Sequence, residues 1–411
     1  MRSTITARIA VAGLSAMGAA AWGSKAWAVD CSTLTNPIYV TGSSAVQPFM
    51  EALGAALYPS GTTIVYQKQG SCDGVNAILK NTTISGSAAY YPAVSDAGAP
   101  VPASCDLPVA DAGTGGQVVD LGVSDVFAES CPGITMRDAN TVGDFWGPNQ
   151  VMVFVAPLAA TQVINISAEA AYLVMGLTDK KVSPWTDANK LYIRNARSGT
   201  QTMLAAAIHL DAASWHGTDS TSAAGVESNV KTANTSDPNP QAVLGIVSTG
   251  EADRDRAFMK VLGFQPLGQT CAYWPDSSLT TFDKKWVRSG EYQIWGPLHM
   301  LAKVGSAGGA PTNATVAKIV GYFDGSVMPP AGKNQIIDLE IATHTVPQCA
   351  MKVKRSTELG AYTPYTDPHP CGCYFELKAN GTAPASCKTC MTDPDCGASN
   401  LICSYGYCEA K

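Results

Sequence analysis

Four times in this chain a short strand runs into a Gly/Ser loop carrying a hydroxyl or a carboxylate, and in three of the four an amphipathic helix follows at once. The segments are Tyr39-Val40-Thr41-Gly42-Ser43-Ser44, Val65-Tyr66-Gln67-Lys68-Gln69-Gly70-Ser71, Val119-Asp120-Leu121-Gly122-Val123-Ser124-Asp125 and Tyr192-Ile193-Arg194-Asn195-Ala196-Arg197-Ser198-Gly199-Thr200. A helix N-terminus exposes unpaired N–H groups and a partial positive charge. Several such ends converging would cage a small oxyanion without a metal.

The start of the chain reads as an export leader, with Arg2 and Arg8 before the apolar run Ile9 to Ala21 and the small-x-small pattern Ala26-Trp27-Ala28. The expected mature chain begins near Val29, and Asp30 before Cys31 argues against a lipid anchor. Beyond the leader no run reaches the roughly 18 apolar residues of a membrane helix. The expected location is therefore periplasmic, secreted or cell-surface, with no membrane span. The formal net charge is −6, and loss of Arg2, Arg8 and Lys25 with the leader makes it more negative. An acidic chain without a basic run has no electrostatic footprint for nucleic acid. It also lacks long-range attraction for an anion, so recognition would rest on local dipoles and hydrogen bonds.

Thirteen cysteines in an exported chain read first as disulfides, and the odd total leaves one over. Cys31, Cys72, Cys105, Cys131, Cys271 and Cys349 are scattered, while Cys371, Cys373, Cys387, Cys390, Cys396, Cys403 and Cys408 crowd the end. Residues 366–411 hold few large aliphatics and need staples to fold. Export also favours disulfides over a zinc knuckle at Cys387-Lys388-Thr389-Cys390. Cys72 is expected to pair, with Cys105 or Cys131 as partners, rather than act as a nucleophile. The five histidines show no metal-ligand spacing, so neither a metal nor another cofactor is expected.

Strand and helix signals alternate through the main region. Ile38 to Val40 is a strand, and Val46, Phe49, Met50, Leu53 and Leu57 repeat at helical spacing. Thr62 to Gln67, Val118 to Val123, Val151 to Ala156 and Val243 to Val247 read as further strands, and Ala168 to Leu177 as a helix. Residues 81–117 read as an insertion and 217–240 as a polar surface loop. Ser198-Gly199-Thr200-Gln201 reads as a capping box opening a helix through Leu210. Such alternation implies parallel sheets covered by helices, in two lobes at this length.

The ordered set Gly42-Ser43-Ser44-Ala45-Val46, Gly70-Ser71 with Gly74-Val75, Leu121-Gly122-Val123-Ser124-Asp125, Arg194 four residues before Ser198-Gly199-Thr200, and Leu244-Gly245-Ile246-Val247 resembles the phosphate-binding protein of the bacterial phosphate ABC importer. The resemblance spans roughly residues 35 to 300. It implies an α/β, two-lobe type II periplasmic-binding-protein fold with crossover hinge strands near 126–150 and 248–270. Lobe I would take 29–130 and 265–365 and lobe II 131–264, followed by the disulfide-rich tail. It further implies a monomer that captures inorganic phosphate or a similar protonated oxyanion and delivers it to an ABC permease.

Carried over residue by residue, the family's anion ligands fall on Ser44, Ala45 and Val46 in the loop from Ser43, and on Ser71, Asp125, Arg194, Ser198, Gly199 and Thr200. Arg194 would supply the full positive charge in a planar fork suited to two oxygens. Asp125 would accept the proton that hydrogen phosphate carries and sulfate lacks. Two positions depart from the family: Val46-Gln47 stands where Thr-Phe is frequent, and Ala196 where an acid is common. The competing reading is a secreted or surface structural protein with a degenerate binding fold and a partner-binding tail. An enzyme is not expected, because no nucleophile–base pair or Gly-x-Ser-x-Gly elbow is present.

Overall fold

The β-branched segment Pro37–Ser43 forms strand β1, which pairs in parallel with β2, Thr63–Gln69, and with β5, Leu121–Ser124. Between them helix α1, Gln47–Leu57, buries Phe49, Met50, Leu53 and Leu57 at the expected spacing. Helix α2, Ser71–Leu79, buries Val75 and Ile78. Removing each such side chain from water stabilises the fold by about 1.5–3 kcal/mol. Gly42 has φ +140°, and a Cβ there would stand 1.9 Å from the Val123 carbonyl oxygen, so only glycine lets β1 and β5 approach this closely. This computed structural model describes residues 29–111, 114–135, 138–177 and 182–411. The expected leader lies outside the described residues.

Residues 81–117 are partly sheet rather than a free insertion. Their strands β3, Gly86–Val94, and β4, Pro100–Leu107, form an antiparallel pair that extends the sheet beyond β2. Val118, expected in a buried strand, is 66% exposed, and the strand starts at Leu121.

The apolar run at Val151 to Ala156 is the second half of a longer strand, β6, Val142–Pro157. Helix α3 is Ala168–Gly176, strand β7 is Leu191–Ile193 and helix α4 is Gly199–Ala207. Residues 217–240, expected to be a loop, contain helix α5, Ala223–Ser236. Its apolar face is narrow, with Ala223, Val226, Val230 and Ala233 buried among polar neighbours. Strand β8, Leu244–Ser248, helix α6, Thr249–Arg254, strand β9, Met259–Val261, and strand β10, Trp295–Lys303, follow.

One curled twelve-stranded sheet serves both lobes, with β4-β3-β2-β1-β5-β10-β6-β8-β7 along its middle and β9 paired to β6. Parallel pairing was the expectation, but β10 is antiparallel to both β5 and β6, and β6 is antiparallel to β8. The long strand β6 joins β10 along its first part and β8 along its second, so it carries the chain from lobe I to lobe II. The return lies later than 248–270. Gly263–Gln265 still pairs with Asn165–Ser167, and the chain reaches lobe I at β10, where Trp295 pairs with Val151. The segment up to residue 290 is held to lobe II by buried Lys284, whose ammonium bonds Asp253 at 2.6 Å and Asp276 at 2.9 Å. The fold is thus a two-lobe α/β architecture, its halves joined by strand crossings.

Helices α7, Ala314–Phe323, and α8, Gln335–Ala342, precede the cysteine-rich end. Disulfides join Cys31 to Cys105, Cys72 to Cys131 and Cys349 to Cys371, and within the tail Cys373 to Cys387, Cys390 to Cys403 and Cys396 to Cys408. Cys271 is the free cysteine, and it is exposed. The tail is not detached from the body. Its helix α9, Gly372–Asn380, buries Tyr374 and Phe375 in the main core, and Arg288 bonds Glu376 at 2.7 Å. No described helix is long and apolar enough to cross a membrane.

Candidate anion-binding site

The four loops singled out from sequence meet where the two lobes face each other. β1 ends at Ser43, and the turn through Ser44, Ala45 and Val46 leads into α1. Ser71 opens α2 and Asp125 follows β5, both in lobe I. Arg194 follows β7, and Ser198, Gly199 and Thr200 form the start of α4 in lobe II. All of Ser43, Ser44, Ser71, Asp125, Arg194, Ser198 and Thr200 are buried, none more than 5% exposed. The valine side chain of Val46 is packed in the core with Phe49 and Met50, so only its backbone could serve a ligand.

Asp125 is the hub on the lobe I side. Its Oδ2 accepts from the Ser43 hydroxyl and from Ser71 Oγ at 3.0 Å, while its Oδ1 is buried without a hydrogen-bond partner among the described residues. Burial pushes the carboxyl above the usual aspartate range, and the Ser43 and Ser71 hydroxyls with the Arg194 charge pull the other way. The Ser43 hydroxyl also accepts from the Ala45 N–H at 3.1 Å, which locks the loop. Tyr66 donates its phenol proton to the Ser43 carbonyl from β2.

Arg194 is held by backbone as much as by side chains. Its Nε donates to the Ser220 carbonyl at 2.9 Å and its Nη2 to the Thr221 carbonyl at 3.3 Å. Its Nη1 donates across the lobes to Ser44 Oγ at 3.0 Å. Burial lowers its affinity for the proton, and the charges of Glu251, Asp125 and Asp219 oppose that loss, in keeping with a guanidinium that stays charged.

The capping box expected at Ser198 does not form. Ser198 occupies the N-cap position of α4, but its side chain makes no cap hydrogen bond. The Gln201 side chain is used elsewhere, accepting from the Arg194 N–H at 2.8 Å and donating to the Ala212 carbonyl at 2.7 Å. The glutamine therefore braces the arginine instead of closing the helix end. Thr200 Oγ1 is buried and lacks a partner among the described residues. Two orphaned oxygens, Asp125 Oδ1 in lobe I and Thr200 Oγ1 in lobe II, thus each have hydrogen-bonding capacity that burial makes costly to leave unused.

Sequence reading missed residues 220–223. Their carbonyls grip Arg194, and the N–H of Ala223, at the start of α5, donates to Ser44 Oγ at 3.3 Å. The available signal was Ser222 followed by Ala223, Val226, Val230 and Ala233, an N-cap before an apolar stripe; Ser222 Oγ does accept from the Gly225 N–H. Arg197 is 66% exposed at its side chain and lies 3.5 Å from Asp73, a surface pair rather than a second anion contact. Its carbonyl oxygen does cross the seam, accepting from the Cys72 N–H at 3.1 Å. Cys72 is bonded to Cys131 and has no thiol to act as a nucleophile.

No protein-family model matches the chain, and no curated protein does. Solved structures similar to it include a protein of Clostridium perfringens described as a phosphate ABC transporter substrate-binding protein, with phosphate bound; the match has 11% identity and TM-score 0.44, over 76% of this chain and 99% of that one. A Planctomyces limnophilus protein described as phosphate-binding matches at 14% identity and TM-score 0.40, over 75% and 88%. The CcmR regulatory domain of Synechocystis, in complex with 2-PG, matches at 10% identity and TM-score 0.37, over 70% and 95%.

Proposed function

We propose that the chain is an exported binding protein for inorganic phosphate or a related protonated oxyanion, held between the lobes and handed to an ABC importer. One observation carries this reading: Arg194 and Asp125, 69 positions apart by their numbering in the chain, are both buried at the lobe seam amid hydroxyls from both lobes. Arg194 would supply charge, and Ser44, Ser71, Ser198 and Thr200 neutral hydrogen bonds. The N–H groups of Gly199 and of the Ala45-Val46 turn would add backbone donors at helix starts. Asp125, with one oxygen already receiving two hydroxyl protons, would take the ligand's own proton on the other. A fully deprotonated oxyanion would meet that carboxylate oxygen without relief.

Calorimetric titration of the phosphate-stripped protein with phosphate, arsenate and sulfate tests this. Binding of phosphate or arsenate that sulfate does not reproduce, and that Arg194→Ala abolishes, is the expected result. Absence of heat with all three, from protein shown folded by circular dichroism, overturns the reading.

A further inference from the structure

Beside the anion site lies a cavity of about 660 Å3, of a volume suited to a small organic ligand. Its walls include the aromatic rings of Phe127 and Trp146, the carboxyl groups of Glu129, Asp144 and Glu358, and the hydroxyl of Thr357, and none of its lining side chains among the described residues is basic. Asp144 and Trp146 stand two apart on β6 and so share a strand face. The rings of Phe127 and Trp146 meet edge to face at 6.3 Å.

Behind this wall two polar atoms, one on the lining residue Glu358 and one on His299, are buried without partners among the described residues. Glu358 accepts from the Phe127 N–H at 3.2 Å through Oε2, while its Oε1 is buried and unbonded. His299 is wholly buried behind Phe127 and Asp144; its Nδ1 meets Asp144 at 2.9 Å, and its Nε2 is unbonded. The neighbouring cation Arg355 is held by other groups through Nη2, while its Nε and Nη1 are buried without partners among the described residues. It lies over the Trp295 and Tyr362 rings and donates to the Gln293 carbonyl at 2.9 Å and to the Tyr362 hydroxyl. Burial holds the Glu358 carboxyl up at about 7, against the opposing pull of His299, of Arg355 and of its hydrogen bonds from the Phe127 N–H and the Ser130 hydroxyl.

Carboxylates attract any cation, but aromatic faces distinguish among them. A ring face attracts a cation through its quadrupole and accommodates the apolar shell of an organic ammonium ion, whereas a divalent metal requires oxygen ligands close together. We propose that this cavity is a second ligand site, selective for an organic ammonium ion, with Trp146 and Phe127 receiving its apolar shell and Asp144 and Glu358 its charge. The site adjoins the segment that carries Asp125, because Phe127 and Glu358 are joined by a hydrogen bond two residues beyond it.

The test uses the full mature chain, with intrinsic tryptophan fluorescence and calorimetry at fixed ionic strength. Spermidine and choline are the probes, and sodium and magnesium chloride the controls. Saturable binding of either probe is expected, weakened about tenfold or more by Thr357→Arg, which places a guanidinium in the cavity at an exposed position, and by Asp144→Asn. Phosphate titrations of the Thr357→Arg protein should match the parent. Lack of saturation with both probes, undiminished binding in both variants, or equal competition by magnesium overturns the assignment. Melting curves of the variants verify that they are folded.

Discussion

Gly199 of lobe II presses on Ser71 of lobe I so closely that a methyl group at Gly199 would stand 2.2 Å from Ser71 Oγ and 2.8 Å from Asp125 Oδ2. The glycine is needed for the approach of the lobes, since its own backbone lies in an ordinary helix start.

Gly199→Val should therefore act as a wedge. The branched side chain cannot fit while the lobes are together, yet each lobe keeps its own core. Phosphate affinity is expected to fall at least about tenfold, while chemical denaturation shifts by less than about 1.5 kcal/mol. Calorimetry with a urea titration separates the two effects; equal loss of fold and affinity would show that the contact is structural rather than a closure contact.

Lys284 is about 1% exposed and joins Asp253 to Asp276. Lys284→Met keeps the volume but leaves two buried carboxylates sharing Arg256, so that one negative charge loses its counterion. A loss of about 3–5 kcal/mol in urea unfolding is expected, because an uncompensated buried charge costs far more than the pair contributes. A loss below about 1 kcal/mol would mean that Arg256, which bonds both aspartates at 2.7 Å, suffices alone.

Glu340, 5% exposed, has its carboxyl pushed by burial from 4.5 to about 8. Its folded form holds the proton more tightly than its unfolded form, so its contribution to stability is complete below pH 4.5 and is lost as pH rises through about 8. Within that window the parent should lose up to about 1.4 kcal/mol per pH unit relative to Glu340→Gln. Parallel stability curves for the two proteins between pH 5 and 9 would contradict this.

The Cys72–Cys131 disulfide ties the helix carrying Ser71 to the segment just beyond Asp125. Replacing both cysteines by serine should cost about 2–4 kcal/mol of stability and weaken phosphate binding, since the two proposed ligand positions lose a common anchor. Thiol titration of the native parent is expected to find one reactive group, at Cys271, and none in Cys271→Ser. Two or more equivalents in the native protein would show that some of the pairing does not form.

Local chemistry made much of this protein legible from residues alone. β-branched runs followed by glycine and a hydroxyl mark where strands give way to helices, and these junctions carry Ser44, Ser71, Asp125, Arg194 and the Ser198 to Thr200 turn. What local pattern could not rank was competition for partners. Ser198 and Gln201 have the spacing of a capping box, but Gln201 gains more by bonding Arg194 and Ala212, and a choice of that kind depends on groups distant in the chain. Helix α5 was hidden because its buried stripe is narrow and its surroundings polar, so its stability comes from packing against β8 rather than from composition.

By itself, then, the sequence determined the alternation of strands and helices, the cysteine-stapled tail and the short loops able to present hydroxyls and charges, since these follow from period, turn chemistry and the need for staples. Only the tertiary structure decided that β6 runs antiparallel first to β10 and then to β8 as it passes from lobe I to lobe II, that Cys72 pairs with Cys131, that α9 enters the main core, and that the Ser220 and Thr221 carbonyls orient Arg194. Each of these joins residues far apart in the chain, and their pairing is set by which buried groups can satisfy one another once the sheet has curled.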